Sequence, residues 1–446
     1  MKSLRILRSE AADIWKAALQ AIDPETAVRK HVKRRKNVLQ AGTCRIDLDS
    51  IRNVWILGAG KAAAPMGKAL EKILGKYLSG GFLTTKYGHS LSLKKIEIAE
   101  AGHPLPDENS LASGERIRSF VESRIESGDL VICVFSGGAS SLMVSPADGI
   151  TLEDKLRCSE TLMNAGASIR QLNSVRKHLS GLKGGGLARL LRHANIIVLA
   201  LSDVVGDDMA TIASGPTSPD PTTFSDCMDV FRKLEVYDRI PPAVVNRIEQ
   251  GCIGRVEETL KYGDSGFREI PSIIVGNNSL ACTAALKAAK RMGYRSMVLT
   301  SRLEGDNASA ARFHMSIMKE IVQRDRPLRR PACILSGGET TVEITGSGRG
   351  GRNQEFVLHC VPHLADLQAP ALVASLGTDG TDGPTDAAGA IADNSTLTRS
   401  LKYGSNFLKD SLNNNDSYTF FKRLGDLIMT GPTRTNVMDL HIVMIG

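Results

Sequence analysis

Three kinds of residue in this chain are spaced to handle phosphate or carboxylate groups. Glycine turns with small hydroxyls are the first. "VICVFSGGASSLM" at 131–143 runs an apolar strand into Ser136-Gly137-Gly138 and on to Ser140 and Ser141. "ACILSGGETTVEI" at 332–344 repeats the device with Ser336-Gly337-Gly338. The pair either serves turn geometry alone or forms two walls of an anion site, and the residues leave both readings open. "GAGKAA" at 58–63 adds Gly58, Gly60 and Lys61. It fits the G-x-G-x-x-G/A dinucleotide fingerprint, a weak signal by itself. That fingerprint also needs an acidic residue closing the second strand, to hold the ribose hydroxyls. Here that strand ends "LTTKYGH", with Lys86 and no carboxylate, so nicotinamide-dinucleotide recognition of the usual type is disfavoured. What remains is a helix N-terminus with bare amides beside an ammonium, an anion site. No G-x-x-x-x-G-K-[ST] occurs, which excludes a P-loop kinase.

Cations among glycines are the second kind. "HLSGLKGGGLARLL" sets Lys183 before three glycines, and "GSGRGGRNQEF" sets Arg349 and Arg352 among four. Glycine lets backbone amides approach an anion, and arginine offers a planar fork to phosphate oxygens. The third kind is carboxylates on loops after strands: Asp203, Asp207 and Asp208 in "LSDVVGDD", and Asp379, Asp382 and Asp386 in "LGTDGTDGPTDAAG". Such groups ligate Mg²⁺ together with substrate phosphates, or deprotonate an attacking hydroxyl. Asp203 and Asp382 are the best placed, and each also reads as a turn former. No Ser-His-Asp arrangement stands out. His89 and His178 are isolated, while His103 follows a strand and is a candidate to line the same cleft.

These residues need strand ends to carry them. Apolar positions at helical spacing predict a helix through the first turns of the chain, and the basic run "RKHVKRRK" (29–36) reads as a solvated helix end. Strand and helix signals then alternate. "VWILGAG", "GGFLTTK", "KIEIAEAG", "DLVICVFSGG" and "ANIIVLALSDV" read as strands. Helices are expected between them, one capped by Asn109 or Ser110 and two over 151–165 and 168–191. Continuously apolar strands separated by helices predict a parallel α/β sheet covered on both faces. Residues 205–225 carry too many breakers for either element and form a long loop of the functional type. The rhythm resumes with "SIIVGNNS", "YRSMVLTS", "ACILSGGET", "ALVASLGTDGTDGP" and "MDLHIVMI". Two domains are expected, 1–240 and 241–446, dividing at "RIPPAV".

Bulk properties exclude several classes. The 446 residues are 42% hydrophobic and 23% charged, values of an ordinary globular enzyme. Fifty-six Lys+Arg against 48 Asp+Glu give +8, which suits polyanionic small molecules. Aromatics are only 4%, and no nucleic-acid-binding motif accompanies the basic run, so no nucleic-acid partner is expected. Eight scattered cysteines without a C-x-x-C pair read as free thiols of a reducing cytoplasm. No signal peptide and no apolar run of roughly 18 residues is present, so no membrane partner is expected.

Taken in order, "GAGKAA", "GHPLPDENS", "FSGGASSL", "SGLKGGGLA", "LSDVVGDDMATIASGPTSPD", "LSGGETTV", "GRGGRNQEF" and "LGTDGTDGPTDAAGA" resemble the glycerate 2-kinases of the class II, or MOFRL, type, from about residue 10 to the C-terminus. The resemblance implies a Rossmann-like N-terminal domain, a C-terminal α/β MOFRL domain and an active site in the cleft between them, with closure in the cycle. It implies ATP-dependent phosphorylation of D-glycerate at the 2-hydroxyl; Mg²⁺ is expected from the loop carboxylates and a cytoplasmic location from the free cysteines. A homodimer is left open. Proteins of this family have often been labelled hydroxypyruvate reductase, so an NAD(P)H-dependent reductase is the alternative. On the kinase reading, Gly58, Gly60, Ser136, Gly137, Gly138, Ser140, Ser141, Lys183, Ser336, Gly337 and Gly338 bind nucleotide or phosphate. Lys61 sits against the moving phosphoryl or the glycerate carboxylate, and Arg349 and Arg352 neutralise its equatorial oxygens. Asp203 serves as base or, with Asp382, as metal ligand.

Overall fold

A computed structural model describes residues 2–264 and 269–446. It resolves into two compact units. One comprises Ala27–Ser202 and Asp207–Val275; the other comprises Met1–Thr26, Asp203–Gly206 and Gly276–Gly446. We call them the fingerprint unit and the arginine unit.

The fingerprint unit is built on a six-stranded sheet. Its spatial order is Ile96–Ala101, Leu78–Lys86, Val54–Ala59, Leu130–Phe135, Asn195–Leu201, Ser272–Gly276. Numbered along the chain this is 3-2-1-4-5-6, the doubly wound dinucleotide order, and the pairings among the first five strands are parallel. Every residue of Leu130–Phe135 is buried, as a strand covered on both faces requires. Tight helix–sheet packing accounts for some of the small residues. A Cβ on Gly67, in helix Ala63–Leu74, would lie 2.5 Å from Leu83. The helix Glu108–Arg124 is capped by Asp107 in a capping box with Ser110, two residues before Asn109 and three before Ser110, the caps expected. The expected helix over 168–191 is two, Ile169–His178 and Gly186–Leu190, because the glycine run interrupts it.

The basic run divides. Helix Pro24–His31 ends in it, and Val32–Arg35 then opens a three-stranded antiparallel sheet with Val38–Ala41 and Cys44–Asp47. The turn is tight, with Arg35 paired to Val38 and Lys36 at φ 54°.

The arginine unit carries a mixed sheet in the order Arg295–Leu303, Ala332–Gly338, Asp439–Ile445, Ala371–Gly377, Gly389–Asp393, Leu427–Ile428. Asp439–Ile445 runs antiparallel to both neighbours. The last two strands were not legible as such, being short and flanked by glycine and polar residues. Helix Arg352–Ala365 is buried along most of its length, with Phe356, Leu358 and Val361 in the core.

The division of units departs from the boundary expected near residue 240. Helix Pro242–Cys252 and strand Ser272–Gly276 continue the fingerprint sheet's layers, so the change falls at Val275/Gly276. The first helix, Leu4–Ala21, belongs to the arginine unit, where it packs on Asn278–Arg291. Arg8 fixes it there, bonding Asp393 (2.5 Å) and Asp426 (2.8 Å), whose side chains are only 3% exposed. Removing one partner of a buried pair strands the other charge. Arg8→Ala is therefore expected to lower unfolding free energy by about 2 kcal/mol or more in urea titration; a loss within about 0.5 kcal/mol, the ordinary surface range, would contradict this anchoring.

Candidate active site

In a sheet of this order, ligands bind beyond the strand ends where the chain order reverses. That point lies between Val54–Ala59 and Leu130–Phe135, where Gly60-Lys61 faces Ser136-Gly137. The two turns are tied together. Lys61 N donates to Gly137 O (2.9 Å), and Ala62 N donates to Ser136 Oγ (2.9 Å). No side chain can intervene: a Cβ on Gly60 would lie 2.1 Å from Ser136 Oγ, and one on Gly58 only 1.9 Å from Val134 O. Ser136 is buried, and its hydroxyl holds the turn rather than meeting a ligand. Lys61 stands half-buried at the approach to helix Ala63–Leu74, which has no side-chain cap.

Beyond it, Gly138 (φ 86°) starts the short helix Ala139–Leu142, and its missing Cβ leaves room for His103, whose Cδ2 would be 2.6 Å away. Ser140 Oγ bonds Ser214 Oγ (2.7 Å), Ser141 Oγ donates to Gly138 O (3.0 Å), and Lys183 Nζ donates to Ser140 O (2.7 Å). Ala213, Ser214 and Gly215 are consecutively left-handed, at φ 55°, 60° and 62°. Two L residues in that region need over-determined surroundings. The glycine loop supplies them, since Gly184 N donates to Ser214 O and Gly185 N to Gly215 O. The amides of Gly184 and Gly185 are thus spent on the protein, and beside them stands the ammonium of Lys183. It is buried, and burial, with Arg176 nearby, lowers its pKa to about 7.

In the arginine unit the second Ser-Gly-Gly is not a turn. Ser336, Gly337 and Gly338 lie inside strand Ala332–Gly338, paired with Asp439–Ile445. Ser336 is fully buried against His314 Nε2 (2.7 Å), and Asn278 fills the space a Gly337 side chain would need. These three do not form a phosphate cradle. Their neighbour is Asp439, which the sequence reading missed. Arg352 bonds Asp439 through Nε (2.5 Å) and Nη2 (3.1 Å), and Glu339 through Nη1 (2.7 Å). Burial works against the guanidinium's charge, but Asp439 outweighs it and holds Arg352 above its ordinary pKa.

Asp382 is a helix cap. Its Oδ1 accepts from Asn353 N (3.0 Å) and Nδ2 (3.2 Å), and its Oδ2 from Gln354 N (2.8 Å). Burial pushes its carboxyl up to about 6 against those amides. Both oxygens serve the N-terminus of Arg352–Ala365, so Asp382 does not fit a Mg²⁺ ligand paired with Asp203. Asp203 instead lies 3.5 Å from Asn436 Nδ2. Among the described residues, no group of three or more His, Cys, Asp or Glu is set to hold a metal. Arg349 is exposed, its guanidinium 4.4 Å over the Tyr418 ring and Nη2 donating to Pro384 O (3.2 Å).

Fold and site together define an α/β protein with a dinucleotide-type sheet whose nucleotide fingerprint is incomplete, joined to a unit of buried carboxylates and arginines. The sequence matches a domain of unknown function, DUF4147, over residues 10–249 and the MOFRL family over 332–439. It is 39% identical to the D-glycerate 2-kinase of Thermotoga maritima, covering 98% of each chain. It is also 39% identical to the glycerate 2-kinase of Pyrococcus horikoshii, covering 96% of this chain and 95% of that one. A crystal structure of a Thermotoga maritima glycerate kinase superposes at TM-score 0.86 and 38% identity, over 99% of this chain and all of the other. The chain belongs to the glycerate 2-kinase family.

A lysine whose folded pKa lies below its unfolded value near 10.4 costs stability while charged, and that cost fades as pH rises above the folded pKa. Wild type should therefore gain about 2 kcal/mol on Lys183→Met between pH 6.5 and 9, read by urea unfolding. A constant offset between the two would show that Lys183 is not held near neutrality.

Proposed function

We propose that this protein transfers the γ-phosphoryl group of ATP to the 2-hydroxyl of D-glycerate, giving 2-phosphoglycerate and ADP. The observation that carries the reading is the relationship, over 98% of the chain, to a protein named D-glycerate 2-kinase. The sheet supports a kinase over a reductase: its second strand ends Thr84-Thr85-Lys86, without the ribose-binding carboxylate of a nicotinamide-dinucleotide site.

Phosphoryl transfer asks a protein for positioning and charge stabilisation. Lys61, at the approach to a helix without a side-chain cap, and the buried Lys183 bind phosphate oxygens or the glycerate carboxylate. An arriving anion restores the Lys183 proton, because opposite charge favours the charged form. Asp203 takes the hydroxyl proton as the glycerate oxygen bonds phosphorus and the bond to the bridging oxygen of ADP breaks. Arg352 already faces two carboxylates, so its charge is spent within the protein, and Arg349 is the better source of positive charge for the equatorial oxygens. Asp382 is committed to its helix, and no step is assigned to Mg²⁺.

A coupled assay with ATP and D-glycerate, with the phosphoglycerate isomer identified, tests the reading. Lys61→Met and Arg349→Ala are each expected to cut turnover about 100-fold or more without lowering thermal stability. Oxidation of NADH with hydroxypyruvate by a sample inert to ATP and glycerate would transfer the case to the reductase.

A further inference from the structure

The loop that carries Arg349, Gly346-Ser347-Gly348-Arg349-Gly350-Gly351, should be among the softest stretches of the chain, since glycine loses the most freedom on ordering. It is held instead by a turn some 65 to 70 residues later, in the run "NNND" at 413–416. Asn415 Oδ1 accepts from Thr345 N (2.9 Å) and Gly346 N (3.0 Å). Asn414 accepts from Ser347 N through Oδ1 (3.0 Å) and from Gly348 N through its carbonyl (2.8 Å). Asp416 Oδ1 accepts from Arg349 N (3.1 Å), and Arg349 O accepts from Tyr418 N (2.9 Å). Five consecutive amides, from Thr345 to Arg349, are thus satisfied by three consecutive residues.

The glycines are explained by the same contact. A Cβ on Gly346 or Gly348 would lie 2.4 Å from Asn414 backbone atoms, and one on Gly350 would lie 2.2 Å from Ser417 Oγ. They permit interlocking with this turn rather than approach to a ligand. Asn415 is left-handed (φ 51°), a conformation asparagine tolerates, and its Nδ2 reaches Glu343 O and Glu355 Oε1, each at 3.3 Å. Three residues on, Tyr418 supplies the ring on which the Arg349 guanidinium lies. One short segment therefore fixes both the backbone and the charged head of Arg349.

We infer that Asn414, Asn415 and Asp416 are positioning residues for phosphoryl transfer, a template that aims Arg349. This rests on the kinase reading above. Asn415→Gly keeps the left-handed backbone and removes the side-chain acceptor, while Asn415→Asp keeps the accepting oxygen. The glycine variant should exchange the Thr345–Arg349 amides at least tenfold faster in hydrogen–deuterium exchange, and should lower kcat about tenfold with KM for ATP and glycerate nearly unchanged. The aspartate variant should recover most of both. In an Arg349→Ala background, Asn415→Gly should cost nothing further in kcat, because residues acting as a unit are non-additive. Unchanged exchange would overturn the template. So would an undiminished kcat in Asn415→Gly, or a loss that adds in full to that of Arg349→Ala. Were the protein inert toward ATP and glycerate, the proposed function would fail, while the exchange data would still decide whether 414–416 holds the loop.

Discussion

The arginine unit depends on burying two carboxylates beneath one helix. Asp382 is 2% exposed and Asp439 fully buried, and an unsatisfied charge at such depth costs several kcal/mol. Asn353 bridges them, its Nδ2 reaching Asp439 Oδ1 (2.9 Å) and Asp382 Oδ1 (3.2 Å). The amide is held in turn by Ser375, which donates to Asn353 Oδ1 (2.6 Å) and accepts from His441 Nδ1 (2.8 Å). With the hydroxyl proton committed, the imidazole proton belongs on Nδ1. A neutral ring agrees with burial, His314 and Arg352 holding His441 well below its usual pKa. Breaking any member leaves a buried partner unsatisfied, so the helix start, Arg352 and strand Asp439–Ile445 are placed as one object. Gly351 belongs to it too, because a Cβ there would lie 2.3 Å from Asp382 Cγ.

The fingerprint unit solves a related problem with backbone alone. Its turns lack bulk, and their amides largely bond one another: Lys61 to Gly137, Gly184 to Ser214, Gly185 to Gly215. A glycine-rich turn is therefore not a reservoir of donors for a ligand by default. Here glycine permits main chain to meet main chain, as at Gly58 and Gly186, where a Cβ would sit within 2.3 Å of a carbonyl oxygen. The closely bonded turns form a rigid frame, and the frame presents Lys61 and Lys183.

The sheet of the fingerprint unit was legible because buried parallel strands are uninterrupted apolar runs, and their C-terminal ends carry the polar residues. The same rule hid Asp439. In an antiparallel strand the N-terminal end lies beside its neighbours' C-terminal ends, so Asp439 pairs with both Gly338 and Gly377. A search of residues that follow strands passes over one that precedes them. The pattern "SGG" was legible as a motif, but not whether it ends a strand, as at Ser136, or lies within one, as at Ser336. Sheet membership was equally hidden for the first helix, since an amphipathic stripe states that a face is buried and not against what. The Arg8 pairs with Asp393 and Asp426 span nearly the whole chain, and no local pattern reports them.

Arg349 and Arg352 are three residues apart and look equivalent as sequence, yet their surroundings separate them. Arg352 faces Asp439 and Glu339, one positive charge against two negative, so the fork it offers is already filled on two sides. Its rigidity comes from ion pairs, and those pairs consume the charge that would make it useful to a phosphate. Arg349 keeps its charge beside an aromatic face, a contact that orients a cation without neutralising it. Charge can be retained only where rigidity is supplied by neutral means. In this loop that supply is the amide and carbonyl oxygens of Asn414 and Asn415, with Asp416 the one ionised contributor and bound to main chain rather than to the guanidinium. An asparagine-rich turn far along the sequence thus follows from the demand for an arginine fixed by means other than ion pairs of the kind that hold Arg352.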